Sequence, residues 1–117
     1  MRLNYASLPA HGTSLVLVAA CGKRIELFVK PMEGGLFTLV ALGGISNELP
    51  HKVKSQGPYH RLQQAQGAAN AIINALTSRG YCVSEQLNQW SIAAQREIRK
   101  IRKKRNDNLP NYTFEPL

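Results

Sequence analysis

Residues 14–30 read SLVLVAACGKRIELFVK, and how this stretch divides decides the fold. Its first part, 14–21, is a β-branched and leucine run that stops at Gly22-Lys23, and 24–30 follows at once. Two strands joined by a tight glycine turn fit that pattern. In the second strand Ile25, Leu27 and Val29 point one way while Glu26, Phe28 and Lys30 point the other. That spacing predicts one apolar face and one outer face, with Phe28 as the exception on the outer one.

Working outward, Pro31 and Gly34-Gly35 break the chain, and 36–42, LFTLVAL, read as a third strand that is apolar on nearly both sides and therefore central. Gly43-Gly44 end it. A weaker extended piece at 48–54, ELPHKVK, forms a fourth strand, placed at an edge by Pro50. After Ser55 the period changes from two to about 3.6. Gly57-Pro58 offer a helix start, Leu62, Ala65, Ala69, Ile72 and Leu76 make its apolar stripe, and Gly80 ends it. Tyr81-Cys82-Val83 is a short link, and Ser84 caps a second helix whose stripe is Leu87, Trp90, Ala94, Ile98 and Ile101.

These elements predict an α+β fold: an N-terminal antiparallel sheet of three to four strands, followed by two helices packed on one face of it, near 58–79 and 84–105. The second helix is long and basic at its C-terminal end. Residues 1–105 form a single domain and 106–117, with Pro110, Pro116 and several Asn, an irregular tail. A chain of 117 residues, 44% hydrophobic and 19% charged, has the length and composition of one globular domain that needs no disulfide scaffold.

The net charge of +8 is concentrated, because residues 96–105 hold seven Lys or Arg against one acid, Glu97. Arg96, Arg99, Lys100 and Lys103 fall roughly opposite Ile98 and Ile101 on the second helix, so a basic face runs back to back with an apolar one. Cations near a helix C-terminus complement the dipole, but one or two suffice for that, and like charges at i, i+4 repel by about 0.2–0.5 kcal/mol per pair. The excess points to a polyanion, with Arg96, Arg99, Lys100, Arg102, Lys103 and Lys104 contacting phosphates. Phe28, Tyr59, Tyr81, Tyr112 and Phe114 are the candidates for base stacking.

From Gln63 to Ser78 the first helix has no charged residue, and Gly67, Ala71 and Ala75 line up opposite its stripe as a smooth ridge. Either the second helix of the same chain lies on that ridge, or a second subunit does. Ile92 adds an apolar residue on the polar side of the second helix.

Catalytic and metal motifs are missing. His11, His51 and His60 show no HExxH spacing, Gly22-Lys23 lacks the rest of a phosphate loop, and there is no GxGxxG or GxSxG pattern. Cys21 and Cys82, far apart, read as reduced, partly buried thiols of a cytoplasmic protein. Val18 to Cys21 resemble the small-residue site before a lipoprotein cysteine, but the apolar run from Leu15 to Ala20 is too short for a signal-peptide core. The expectation is a non-enzymatic, cofactor-free cytoplasmic regulatory or architectural protein that binds DNA or RNA through its basic helix. The alternative is a homodimeric protein-interaction module that meets another regulator through its uncharged first helix and the Tyr112/Phe114 tail, with Gly67, Ala71, Ala75 and Ile92 at the interface. In that case the basic segment meets an acidic patch of a protein partner or keeps the protein soluble, with no nucleic acid bound.

Overall fold

The computed structural model describes residues 13–114, with side chains described for 14–104. Five antiparallel strands form one sheet: β1 (Thr13–Val18), β2 (Lys23–Met32), β3 (Leu36–Ile45), β4 (Lys52–Tyr59) and β5 (Cys82–Ser84), in the order β4-β3-β2-β1-β5. Helix α1 (Leu62–Thr77) follows β4, and α2 (Ser91–Phe114) follows β5. The fold is α+β, and the sheet has five strands rather than three to four. The added strand, Cys82–Ser84, overlaps the Tyr81–Val83 link and takes in Ser84, read above as a helix cap; its pairing of Val16 with Ser84, Leu17 with Val83 and Val18 with Cys82 closes the free edge of β1. A run that short carries no alternation to read.

The helices lie on opposite faces, not on one. Because side chains alternate along a strand, Leu27 and Val29 of β2 with Leu39 of β3 share one face, where Ala65, Ala69 and Ile73 of α1 cover them. Phe28, Met32, Val40 and Leu42 share the other, beneath Trp90, Ala94 and Ile98 of α2. The outer face read for β2 is therefore the floor of a second core, and Arg24 and Glu26 are buried within it, at 2% and 0% exposure. Both helices being engaged with the sheet, α2 does not lie on the Gly67/Ala71/Ala75 ridge, and all three of those residues are exposed.

Element boundaries shift for physical reasons. Strand β4 runs through Gly57-Pro58 to Tyr59, so α1 starts at Leu62, where the Gln64 side-chain oxygen accepts from the backbone N–H groups of His60 and Arg61. Strand β3 continues through Gly43 and Gly44 instead of ending there. A Cβ on Gly44 would sit 3.1 Å from the backbone nitrogen of His51 and 3.4 Å from the Trp90 ring, so glycine here serves close approach and not a break. Pro31 likewise falls inside β2, opposite Phe37. Helix α2 begins at Ser91 rather than Ser84, and its backbone runs past Arg105 to Phe114. The Asn residues cost only tenths of a kcal/mol each in a helix, and Pro110, at about 3 kcal/mol the larger cost, falls in the last turn and a half without ending the run before Phe114.

Candidate nucleic-acid interface

The start of α2 is fixed by the sheet. One oxygen of the buried Glu26 carboxylate accepts from Asn88 Nδ2 at 2.9 Å and from the Trp90 backbone N–H at 3.2 Å. The other accepts from the Gln89 N–H at 2.9 Å and from Arg24 Nε at 2.7 Å. A carboxylate from β2 thus satisfies the two amides that lead into the helix and puts negative charge at the positive end of the dipole. Arg24 completes the arrangement by donating to Gln86 Oε1 at 2.7 Å and to the Leu87 carbonyl at 2.6 Å. Its guanidinium lies 5.9 Å from the centroid of the Trp90 ring, whose Nε1–H donates to the Glu48 carbonyl at 2.7 Å. Residues 85–90 are consequently a clamped loop and not the first turns of a helix. Leu87 leaves the apolar stripe and is 89% exposed.

From that anchor α2 presents its cations. Trp90, Ala94 and Ile98 are buried against the sheet and Ile101 packs beside them, while Arg96, Arg99, Lys100, Arg102, Lys103 and Lys104 are all exposed. Steps of three and four residues place five of them, together with Gln95, in two neighbouring rows: Gln95, Arg99 and Arg102 in one, Arg96, Lys100 and Lys103 in the next, with Lys104 one turn beyond Lys100. The first row faces a groove of about 400 Å³ between α2 and β2, floored by Ile98 and Pro31 and closed on the strand side by Lys30. Lys30 holds its ammonium 5.8 Å from the centroid of the Phe28 ring. Among the described residues the ion pairs are Arg24–Glu26 and His51–Glu48, and none involves the exposed cations Arg96 to Lys104 of α2.

Other candidates fare differently. Phe28 is 3% exposed under α2 and has no free ring face for a base. Tyr59 and Tyr81 are half-buried in the packing of the α1 face, and the side chains of Tyr112 and Phe114 lie outside the described residues. The ridge of α1 and Ile92 of α2 are on opposite sides of the sheet and form no single surface. Cys21, in the β1–β2 turn, and Cys82, on the edge strand, are both exposed rather than partly buried, since neither position is covered by a helix. His51 Nε2 lies 3.7 Å from a Glu48 oxygen, His60 is exposed, and His11 is outside the described residues. Among the described residues no three His, Cys, Asp or Glu side chains gather, and no helix is long and apolar enough to cross a membrane.

Reading along the chain missed Lys30 as a groove residue and the Arg24–Glu26 pair. The available signal was the doubly apolar β3: a strand buried on both faces requires its neighbour β2 to be covered on both faces as well.

Fold and surface together define a five-stranded antiparallel sheet with one helix on each face, the second helix lined with exposed cations that form no ion pair among the described residues. The chain belongs to the PA4575-like protein family, matching it over residues 1–117. No curated protein and no solved structure matches it, so the functional reading rests on the geometry.

Proposed function

We propose that the protein is a small regulatory or architectural protein that binds nucleic acid along α2, with Arg96, Arg99, Lys100, Arg102, Lys103 and Lys104 contacting phosphates and Lys30 contributing from β2. The observation that carries this reading is the pair of exposed cation rows, without an ion pair among the described residues, beside a groove that the sheet closes with a further lysine. Phosphate contacts of this kind give affinity and register without sequence readout.

Salt dependence tests it. If four to six of these side chains neutralise phosphates of duplex DNA, log K falls against log salt with a slope of about −4 to −5. Changing Arg99, Lys100 and Lys103 together to Gln flattens that slope by roughly three units. Fluorescence anisotropy with labelled duplex DNA and single-stranded RNA measures both, and circular dichroism checks that these exposed substitutions leave the fold intact. Absence of binding to both at low salt, or a slope unmoved by the triple change, removes the reading.

A second reading, a homodimer through α1, is favoured by the uncovered ridge, where no atom outside the helix lies within 4 Å of a Cβ built on Gly67. Light scattering decides it: Ala71→Glu halves the mass in solution if the ridge is the interface, and an unchanged monomeric mass excludes it.

A further inference from the structure

On the face of the sheet away from α2, Ala65 and Ala69 in the N-terminal half of α1 pack on Leu39 of β3 and Val29 of β2, but beside its C-terminal half Ala41 and Gly43 of β3 and the edge strand β4 stay partly open. The result is a cleft of about 380 Å³ between the C-terminal half of α1 and β4. Its volume is in the range of small-molecule sites, about 300–1,000 Å³. The hollow has a sequence cause: along this face β3 presents Leu39, then only Ala41 and Gly43, opposite Gln56, Lys54 and Lys52 of β4. Ile72 and Leu76 of α1 and Ile25 of β2 wall it, all three half-buried, so the floor is apolar and partly wet.

The rim has one sign. Lys52, Lys54 and Arg79 stand at the opening, all exposed, and among the described residues no Asp or Glu lines the cleft. The last turn of α1 does not oppose an anion here through bare carbonyls. The Asn74, Leu76 and Thr77 carbonyls already accept from the amides of Ser78, Arg79, Tyr81 and Gly80. An apolar hollow with a cationic mouth matches a ligand of complementary build, an apolar body carrying one anionic group.

We propose that this cleft binds a small amphipathic anion, an aryl or medium-chain alkyl carboxylate or phosphate. Its apolar body lies on Leu39, Ala41, Ile72 and Leu76, and its charged group is held by Lys52, Lys54 and Arg79. The site is separate from α2, which lies across the sheet, and it does not depend on the nucleic-acid reading.

The test is titration of the full chain with decanoate and with 2-naphthoate, followed by calorimetry and by methyl NMR. The expected result is saturable one-site binding of at least one of the two, with shifts at the methyl groups of Ile25, Ile72 and Leu76, and with decanol bound more weakly by roughly tenfold or more. Lys52→Gln, Lys54→Gln and Arg79→Gln combined weaken binding by roughly tenfold or more, as loss of charge-assisted hydrogen bonds predicts. Gly43→Leu abolishes it by filling the hollow. A Cβ at Gly43 meets Ile25 Cδ1 at an ordinary 3.7 Å, so a side chain can leave the backbone here, and the rest of the leucine enters the hollow. If that variant does not fold, the triple change, confined to exposed side chains, carries the test alone. No saturable binding of either anion, decanol bound as well as decanoate, shifts at Ile98 and Ile101 in place of those above, or affinity unchanged by the triple substitution would each overturn the proposal.

Discussion

Replacing Glu26 by Gln probes the most heavily connected side chain in the molecule. The carboxylate is wholly buried, and it accepts from Arg24 Nε, Asn88 Nδ2 and the Gln89 and Trp90 amides. A glutamine keeps the shape but removes the charge and turns one acceptor into an NH₂ group facing two donors. Arg24, 2% exposed, is then a buried cation without a counter-charge. Breaking a buried ion pair from one side costs about 3–5 kcal/mol, a large part of the roughly 5–15 kcal/mol that holds an ordinary domain. With a urea m-value in the usual 1–3 kcal/mol/M range, the midpoint falls by roughly 2 M. Trp90 is the only tryptophan and sits beside the pair, so its emission in a urea titration reports the event directly. Arg24→Met combined with Glu26→Leu removes both charges and loses less than the two single changes together, with a coupling of about 2 kcal/mol or more. A midpoint shift for Glu26→Gln below about 0.5 M at unchanged m, or strict additivity in the cycle, refutes the assignment of Glu26 as the clamp of α2.

Two glycines should respond with opposite sign. Gly44→Ala drives a Cβ to 3.1 Å from the His51 nitrogen and 3.3 Å from the Pro50 Cα, and thermal unfolding should show a loss of about 1–3 kcal/mol. Gly67→Ala, open on every side, gains about 0.5–1 kcal/mol by helix propensity alone, and a loss instead of a gain would contradict the open ridge. Both Cys21 and Cys82, being exposed, should react with a thiol reagent in the native protein as completely as in urea, and a thiol released only on unfolding would contradict their placement.

What could be read along the chain, and what could not, follows from which signals are local. The first three strands were legible because Ile25, Leu27 and Val29 alternate with Arg24, Glu26, Phe28 and Lys30, and because 36–42 is apolar but for Thr38. That same alternation misplaced β2: Arg24 and Glu26 look like a solvated face until their mutual pairing and their bonds to residues 86–90, more than sixty positions away, are known. The stripe of α2 was legible from Trp90 onward. It was extended back to Leu87 because the spacing of three residues still matches a helix, whereas Glu26 holds that segment in a loop. The cations of α2 were visible as a run. Lys30 joined them only once α2 was placed on its face of the sheet, and the α1-face cleft depends on the Ala41 and Lys54 register, which no single segment encodes.

The placement of α2 also bears on how the protein is made. Ile98 leaves the ribosome 56 residues after Leu42, which at 5–20 residues per second is roughly 3–11 s. Helix α1 arrives sooner and can close its own side, so for that interval the nascent sheet is finished on one face and bare on the other. Phe28, Met32, Val40 and Leu42 are then open to any passing hydrophobic surface. Arg24 and Glu26 lie on the same bare face, at a stage when their loop partners do not yet exist. Two charges set into that face interrupt it as a sticky surface, the role of gatekeepers in aggregation-prone strands. The pair that later anchors α2 therefore guards the place it will occupy until the helix is synthesised.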